Sequence, residues 1–243
     1  MKGDDYCPAI STDMGGRSNA NMLNDVVFLL DVDNTLLDND SVAADLKAHL
    51  DREFGRQSGD LYWVILDQLR NELGYTDYLG ALQRYRLATE YDPRLLKVSS
   101  FLVDYPFARR LYPGALKTIR HLGQWGRTVV LSDGDVVFQP RKVQQSGLWE
   151  AVDGRVLIYI HKEQMLEDVN RRYPAGRYVM VDDKLRILSA MKATWGERLT
   201  TIFPRQGHYA CDPKIIAAYP APDITVDEIR ALLDYDLDGL IHK

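Results

Sequence analysis

Residues Val26–Leu30 form an unbroken apolar run that stops abruptly on Asp31. So short a run, rich in branched side chains, reads as a strand buried on both faces, and such strands belong to parallel sheets covered by helices on each side. That places the chain in the α/β class. In an open α/β sheet, ligands sit just beyond the carboxyl ends of the strands. Asp31 and Asp33, followed by Asn34 and Thr35, therefore fall where such a sheet keeps its chemistry. Asp at a strand end is also an ordinary turn residue. A calcium loop is excluded, because its required Gly and Glu would fall on Leu36 and Val42.

Residues 41–103 change character. Ser41 reads as a helix N-cap, with Val42, Leu46, His49 and Leu50 on one face. Leu61, Ile65, Leu69 and Leu73 recur at helical spacing up to Gly74, a C-cap. Asp77 caps a third helix carrying Leu79, Leu82 and Leu87, and Pro93 opens a fourth with Leu95, Leu96 and Val98. So many helical residues after one strand predict a separate helical lobe, not a simple crossover. The expected division is a loose tail at 1–22, an α/β core at 23–39 and 108–243, and a helical insert at 40–107.

After Tyr112-Pro113-Gly114, strands are predicted at 128–132, 156–160, 178–181 and 199–203, with a last helix over 225–233. The second strand ends on Ser132-Asp133-Gly134. A hydroxyl and free backbone N–H groups at a strand end can hold a phosphate, and Gly allows close approach. The same residues also suit a plain turn, with Asp135 capping the next helix. The third strand is followed by His161 and Lys162. Lys at a helix start is unfavourable against the dipole unless it faces an anion or the carboxylates; His161 reads as a cap or surface residue. The fourth strand ends on Asp182-Asp183, adjacent like charges that need a cation or solvent. Asp234-Tyr235-Asp236-Leu237-Asp238-Gly239 copies half a calcium loop but has no room for the closing Glu, and reads as a solvated tail.

Composition narrows the partners. A net charge of −5 argues against nucleic acid. No apolar run is long enough to span a bilayer, and the start lacks the layout of a secretory signal. Cys7 and Cys211 have no metal-type spacing and read as free thiols in a reducing cytoplasm, with a disulfide between them the minor alternative. Oligomeric state leaves no mark in the sequence.

Polar clusters at four successive points on the sheet rim resemble the four motifs of the haloacid dehalogenase-like superfamily. The match lies in DVDNT, VVLSDGD, the Lys of IHKEQ, and VMVDD, in order across residues 24–205. The resemblance implies a Rossmann-like parallel sheet with a helical cap inserted between the first two motifs. It implies a Mg²⁺-dependent phosphatase acting on a small phosphorylated substrate through an aspartyl-phosphate. Asp31 would be the nucleophile and Asp33 the acid and base. Ser132, Asp133, Gly134 and Lys162 would meet the phosphoryl group. Asp31, Asp33 through its backbone carbonyl, Asp182 and Asp183 would hold the metal, Asp183 directly and Asp182 directly or through water. Dehalogenases of this group lack an acid two residues after the nucleophile, so Asp33 favours phosphatase. A phosphomutase or a binding protein without turnover uses the same scaffold.

Overall fold

The computed structural model describes residues 25–241, so the tail expected at 1–22 and Cys7 lie outside what is described. β1 (Val26–Leu30) occupies the middle of a six-stranded sheet. The other strands are β2 (Arg127–Asp133), β3 (Val156–Tyr159), β4 (Arg177–Val181), β5 (Leu199–Pro204) and β6 (Ile224–Val226). Every neighbouring pair is parallel, in the order β3-β2-β1-β4-β5-β6. The alternation of strand side chains divides β1 between two cores. Val26, Phe28 and Leu30 pack in one, with Ile119, Leu122, Phe138 and Val143 from α5 (Ala115–Leu122) and α6 (Phe138–Gln145). Val27 and Leu29 pack in the other, with Val169 of α8 (Leu166–Arg172) and Leu188 and Met191 of α9 (Leu185–Trp195); a single short turn, α7 (Leu148–Ala151), leads into β3. Apolar matter on both faces is what an uninterrupted apolar strand requires. The chain turns outward from β1 in both directions, to β2 on one side and β4 on the other, which opens a crevice at their carboxyl ends.

Between β1 and β2 stand α1 (Asn39–Phe54), α2 (Arg56–Leu73), α3 (Tyr78–Ala88) and α4 (Leu95–Val103), all helical. The two crossings between sheet and insertion meet in a neck, where Leu37 and Leu111 form an antiparallel bridge. Asp38 N donates to Arg110 O at 2.7 Å and Tyr112 N to Leu36 O at 3.0 Å.

Several local expectations shift. The cap of α1 is Asp38, not Ser41: its carboxylate accepts from Ser41 N at 2.9 Å and Ser41 Oγ at 2.6 Å. In α2 the buried face is Tyr62, Ile65, Leu66 and Leu69, while Leu61 and Leu73 are exposed. Leu87 and Leu96 are exposed too. Tyrosines displace these leucines from the stripe. Tyr62 meets Tyr85 edge-on, 5.8 Å between ring centres, and an aromatic pair of this kind fills more core than an aliphatic one. Asp77 does cap α3, accepting from Gly80 N at 2.7 Å. Gly74 does end α2, with φ +81°, and its bare Cα lies against the His161 ring, which a Cβ would strike.

The predicted helix over 225–233 is replaced by β6 and a 3-10 turn, Ile229–Leu233. Three residues are too few to show a strand period, and Ile229 and Leu232 imitate a helical one. Asp223 fixes the strand's start, accepting from Thr201 N at 2.8 Å and Lys192 Nζ at 2.9 Å. After β5 the chain runs into two short helices, α10 (Gly207–Cys211) and α11 (Pro213–Ala217), and Cys211 is a free, exposed thiol. The expected solvated tail buries Leu237 and ends in α12 (Asp238–Ile241). Among the described residues no helix is long and apolar enough to cross a membrane.

Candidate active site

The register Leu30↔Val181 sets the ends of β1 and β4 side by side, so Asp31 and Asp182 leave the sheet together. Asp31 N continues the ladder to Val181 O at 3.0 Å, and Asp183 N donates to Thr35 Oγ1 at 3.0 Å. The two loops are thereby stitched to each other. Asp31, Asp182 and Asp183 converge with one carboxylate oxygen from each lying within 4.8 Å of the others, and all three are buried.

Lys162 enters from the 3-10 turn after β3. Its Nζ reaches Asp31 Oδ1 at 2.5 Å, Asp182 Oδ2 at 2.7 Å and Leu131 O at 3.2 Å. Burial alone would lower its pKa, but attraction to Asp182 and Asp31 outweighs burial and raises it, so the ammonium stays charged. Burial pushes the Asp182 carboxyl up to about 6, against the pull of Lys162. Burial pushes Asp183 well above the usual carboxylate range, opposed by Lys184. The Lys184 ammonium is disfavoured by burial yet raised overall by Asp183, Asp31 and Asp182.

One lysine bridging two of three carboxylates leaves the third without a contact. Asp31 Oδ2 and both oxygens of Asp183 are buried with no hydrogen-bond partner. Buried polar atoms normally find one, and an orphaned carboxylate oxygen is costly. An all-oxygen, anionic donor set of this kind fits a hard divalent cation such as Mg²⁺.

The remaining expected residues are placed as follows. Ser132 Oγ is buried at the end of β2 and accepts from Gln139 Nε2 at 2.9 Å. The Asp133 carboxylate accepts from Lys162 N at 2.7 Å, and burial raises its pKa. Gly134 N donates to Tyr159 O at 2.9 Å. The Gly134 N–H is thus committed to the sheet, and the Asp133 carboxylate anchors the lysine loop. The Asp33 side chain stands apart from the carboxylate cluster. Its Oδ1 accepts from Lys142 Nζ at 2.6 Å and its Oδ2 from Gln139 Nε2 at 3.4 Å. It lines a cleft of about 580 Å³ between the strand ends and the helical insertion, with Trp63, Tyr75, Tyr78 and Tyr209 along its walls. The half-buried His161 ring packs on Gly74 and makes no cap hydrogen bond.

Gln139 and Lys142 are the residues that motif reading passes over. The signal was available: both are polar, three apart, and on the buried face of α6 with Phe138 and Val143. A polar pair on the inward face of an amphipathic helix needs a partner.

The family model for haloacid dehalogenase-like hydrolases matches residues 26–193. The chain belongs to that family. Among solved structures it is similar to a haloacid dehalogenase-like hydrolase from Burkholderia xenovorans LB400. The two are 67% identical, with a TM-score of 0.84, over 88% of this chain and 99% of that one. It also shares its fold with the hydrolase YfnB from Bacillus subtilis bound to magnesium, at 17% identity and a TM-score of 0.59, over 87% of this chain and 99% of that one. A third likeness is to L-2-haloacid dehalogenase from Xanthobacter autotrophicus with chloropropionic acid covalently bound. There identity is 18% and the TM-score 0.56, over 88% of this chain and 98% of that one. No curated protein matches the chain.

Proposed function

We propose that the protein is a Mg²⁺-dependent phosphatase that hydrolyses a small-molecule phosphate monoester through an aspartyl-phosphate on Asp31. The observation that carries this reading is the division of the carboxylates. Asp31, Asp182 and Asp183 form a buried set with orphaned oxygens, while Asp33 stands outside it and faces the cleft.

In the first half-reaction an Asp31 oxygen attacks phosphorus. The bond to the leaving oxygen breaks, and Asp33 gives that oxygen a proton. In the second, Asp33 takes a proton from water as the water oxygen attacks phosphorus, and Asp31 is released with inorganic phosphate. Lys162 offsets the charge of the transferred group from its bridge to Asp31, and the Ser132 hydroxyl donates to a phosphoryl oxygen. Asp31, Asp182, Asp183 and the backbone carbonyl of Asp33 would hold Mg²⁺, which supplies further positive charge to a reaction between two anions.

The solved dehalogenases share this fold, but a departing halide needs no proton and a departing alkoxide does. Asp33 at the cleft therefore supports ester hydrolysis. The helical insertion forms the cleft's other wall and is suited to serve as a cap that selects the leaving group. The aromatic walls fit a small organic body.

The test is turnover of a panel of sugar phosphates, nucleotides and small phosphorylated acids, with Mg²⁺ and after exhaustive chelation. Hydrolysis of at least one class, abolished by chelation and restored by Mg²⁺, is expected. Full turnover in chelator, or none on any ester, removes the reading.

A further inference from the structure

The phosphatase reading assigns Asp33 a proton but leaves open what holds its carboxylate at the leaving-group side of the cleft. Lys142 does so from below. Its side chain is buried, lies 5.2 Å over the Phe138 ring, and puts its ammonium 2.6 Å from Asp33 Oδ1. The same ammonium donates to Asn39 Oδ1 at 3.0 Å. Asn39 is the first residue of α1, and its Nδ2 donates to the Tyr78 hydroxyl at 3.3 Å, at the start of α3. One turn earlier on α6, Gln139 spans Ser132 Oγ and Asp33 Oδ2. So α6 grips Asp33 and Ser132 from one side and the entry of the helical insertion from the other.

We infer that Lys142 is a positioning residue: it fixes the Asp33 carboxylate in the cleft and links that position, through Asn39 and Tyr78, to the placement of the helical insertion. The inference rests on the phosphatase reading for its kinetic consequence. It does not rest on that reading for its structural one. A merely structural role for Lys142 is the competing account, since breaking any buried ion pair costs stability. The two differ in where the loss appears. A residue acting through Asp33 loses its effect once Asp33 has lost its function.

The experiment is a double-mutant cycle of Lys142→Met and Asp33→Asn, read by single-turnover kinetics on an alkyl and a nitrophenyl phosphate. Misplacing a reacting group by about 1 Å can cost about 10²-fold. Lys142→Met should therefore lower the phosphorylation rate on the alkyl ester by roughly 10–10²-fold, with less loss on the nitrophenyl ester and little change in KM. In the Asp33→Asn background the same change should cost less than about threefold. Equal losses on both esters, or an undiminished loss beside Asp33→Asn, would overturn the inference. Should the Met variant fail to fold, Lys142→Gln keeps a donor for Asn39, removes the charge, and enters the same cycle. A wild-type protein inactive on every phosphate ester removes the phosphatase reading alone. Positioning is then decided by the crystal structure of the Lys142 variant: an Asp33 carboxylate displaced from its wild-type place supports it, and one left in place overturns it.

Discussion

Replacing Asp183 by Asn should make the metal-free protein more stable and remove most of its gain from Mg²⁺. Asp183 is buried with neither carboxylate oxygen in a hydrogen bond. Its neighbours cannot help. Lys162 is already divided between Asp31 and Asp182 at 2.5 and 2.7 Å, and Lys184 acts on Asp183 only through space. A buried polar group left without a partner costs about 1–3 kcal/mol, more when charged. The isosteric amide is neutral, so it removes the part of that cost that comes from the charge. A gain of about 2 kcal/mol in a domain of this size corresponds to about 4–8 °C in Tm. Mg²⁺ at roughly 100 times its Kd stabilises the wild type by about 2.7 kcal/mol, or about 5–11 °C. The variant has lost a ligand and should move by no more than about 2 °C. The assay is differential scanning calorimetry of both proteins in chelator and in saturating MgCl₂. The variant should melt above the wild type in chelator, and Mg²⁺ should raise the wild type far more than the variant. A variant less stable in chelator, or an equal Mg²⁺ shift in both proteins, refutes the reasoning that Asp183 is an uncompensated ligand.

Asp31→Asn should form no phosphoenzyme with any substrate. Asp33→Asn should slow phosphorylation from alkyl esters by about 10²–10⁴-fold and from nitrophenyl or acyl phosphates less, so a flat dependence on leaving-group acidity would count against its role as acid. Replacing residues 40–107 by a short flexible turn should change the ranking of substrates while keeping the Mg²⁺-induced rise in Tm; an unchanged ranking in a folded, insertion-free protein would show that the insertion does not select substrate. Asp223→Ala should cost about 1 kcal/mol, because the half-exposed carboxylate ties Lys192 to Thr201 across the edge of the sheet. Burial would raise the Asp223 pKa, but Lys192 and Thr201 overcome burial and lower it. Its contribution is therefore complete above the unfolded carboxyl pKa of about 3.9 and is lost as pH falls through the lower folded value, so the melting curves of variant and wild type should converge in acid.

How much of this was legible depends on whether a residue's signal is local. β1, β2 and β4 announce themselves because a strand buried on both faces carries a near-continuous apolar run: Val26–Leu30, residues 129–131 and residues 178–181. Asp31, Asp182 and Asp183 are legible for the related reason that each interrupts such a run at the rim. β6 was not legible: an edge strand of three residues has one buried side chain, Val226, and no period to show. Nor were the helical faces of the insertion, where the pattern of leucines pointed to Leu61, Leu73, Leu87 and Leu96 but the tyrosines took the interior.

The Lys142–Asp33 pair joins residues 109 positions apart, and nothing near either end names the other. The topology does. Once β2 is known to lie beside β1 in parallel, the helix that follows β2 must start at the same rim as the loop that follows β1. The inward side chains of its first turns then have only that loop and the neck of the insertion to meet. Phe138 and Val143 meet apolar neighbours there. Gln139 and Lys142, on the same face, can be accommodated only by polar ones, and Ser132, Asp33 and Asn39 are the polar groups in reach. An inward Lys on the helix after β2 is thus a consequence of strand order combined with residue type, and the local pattern of this sequence does not carry strand order.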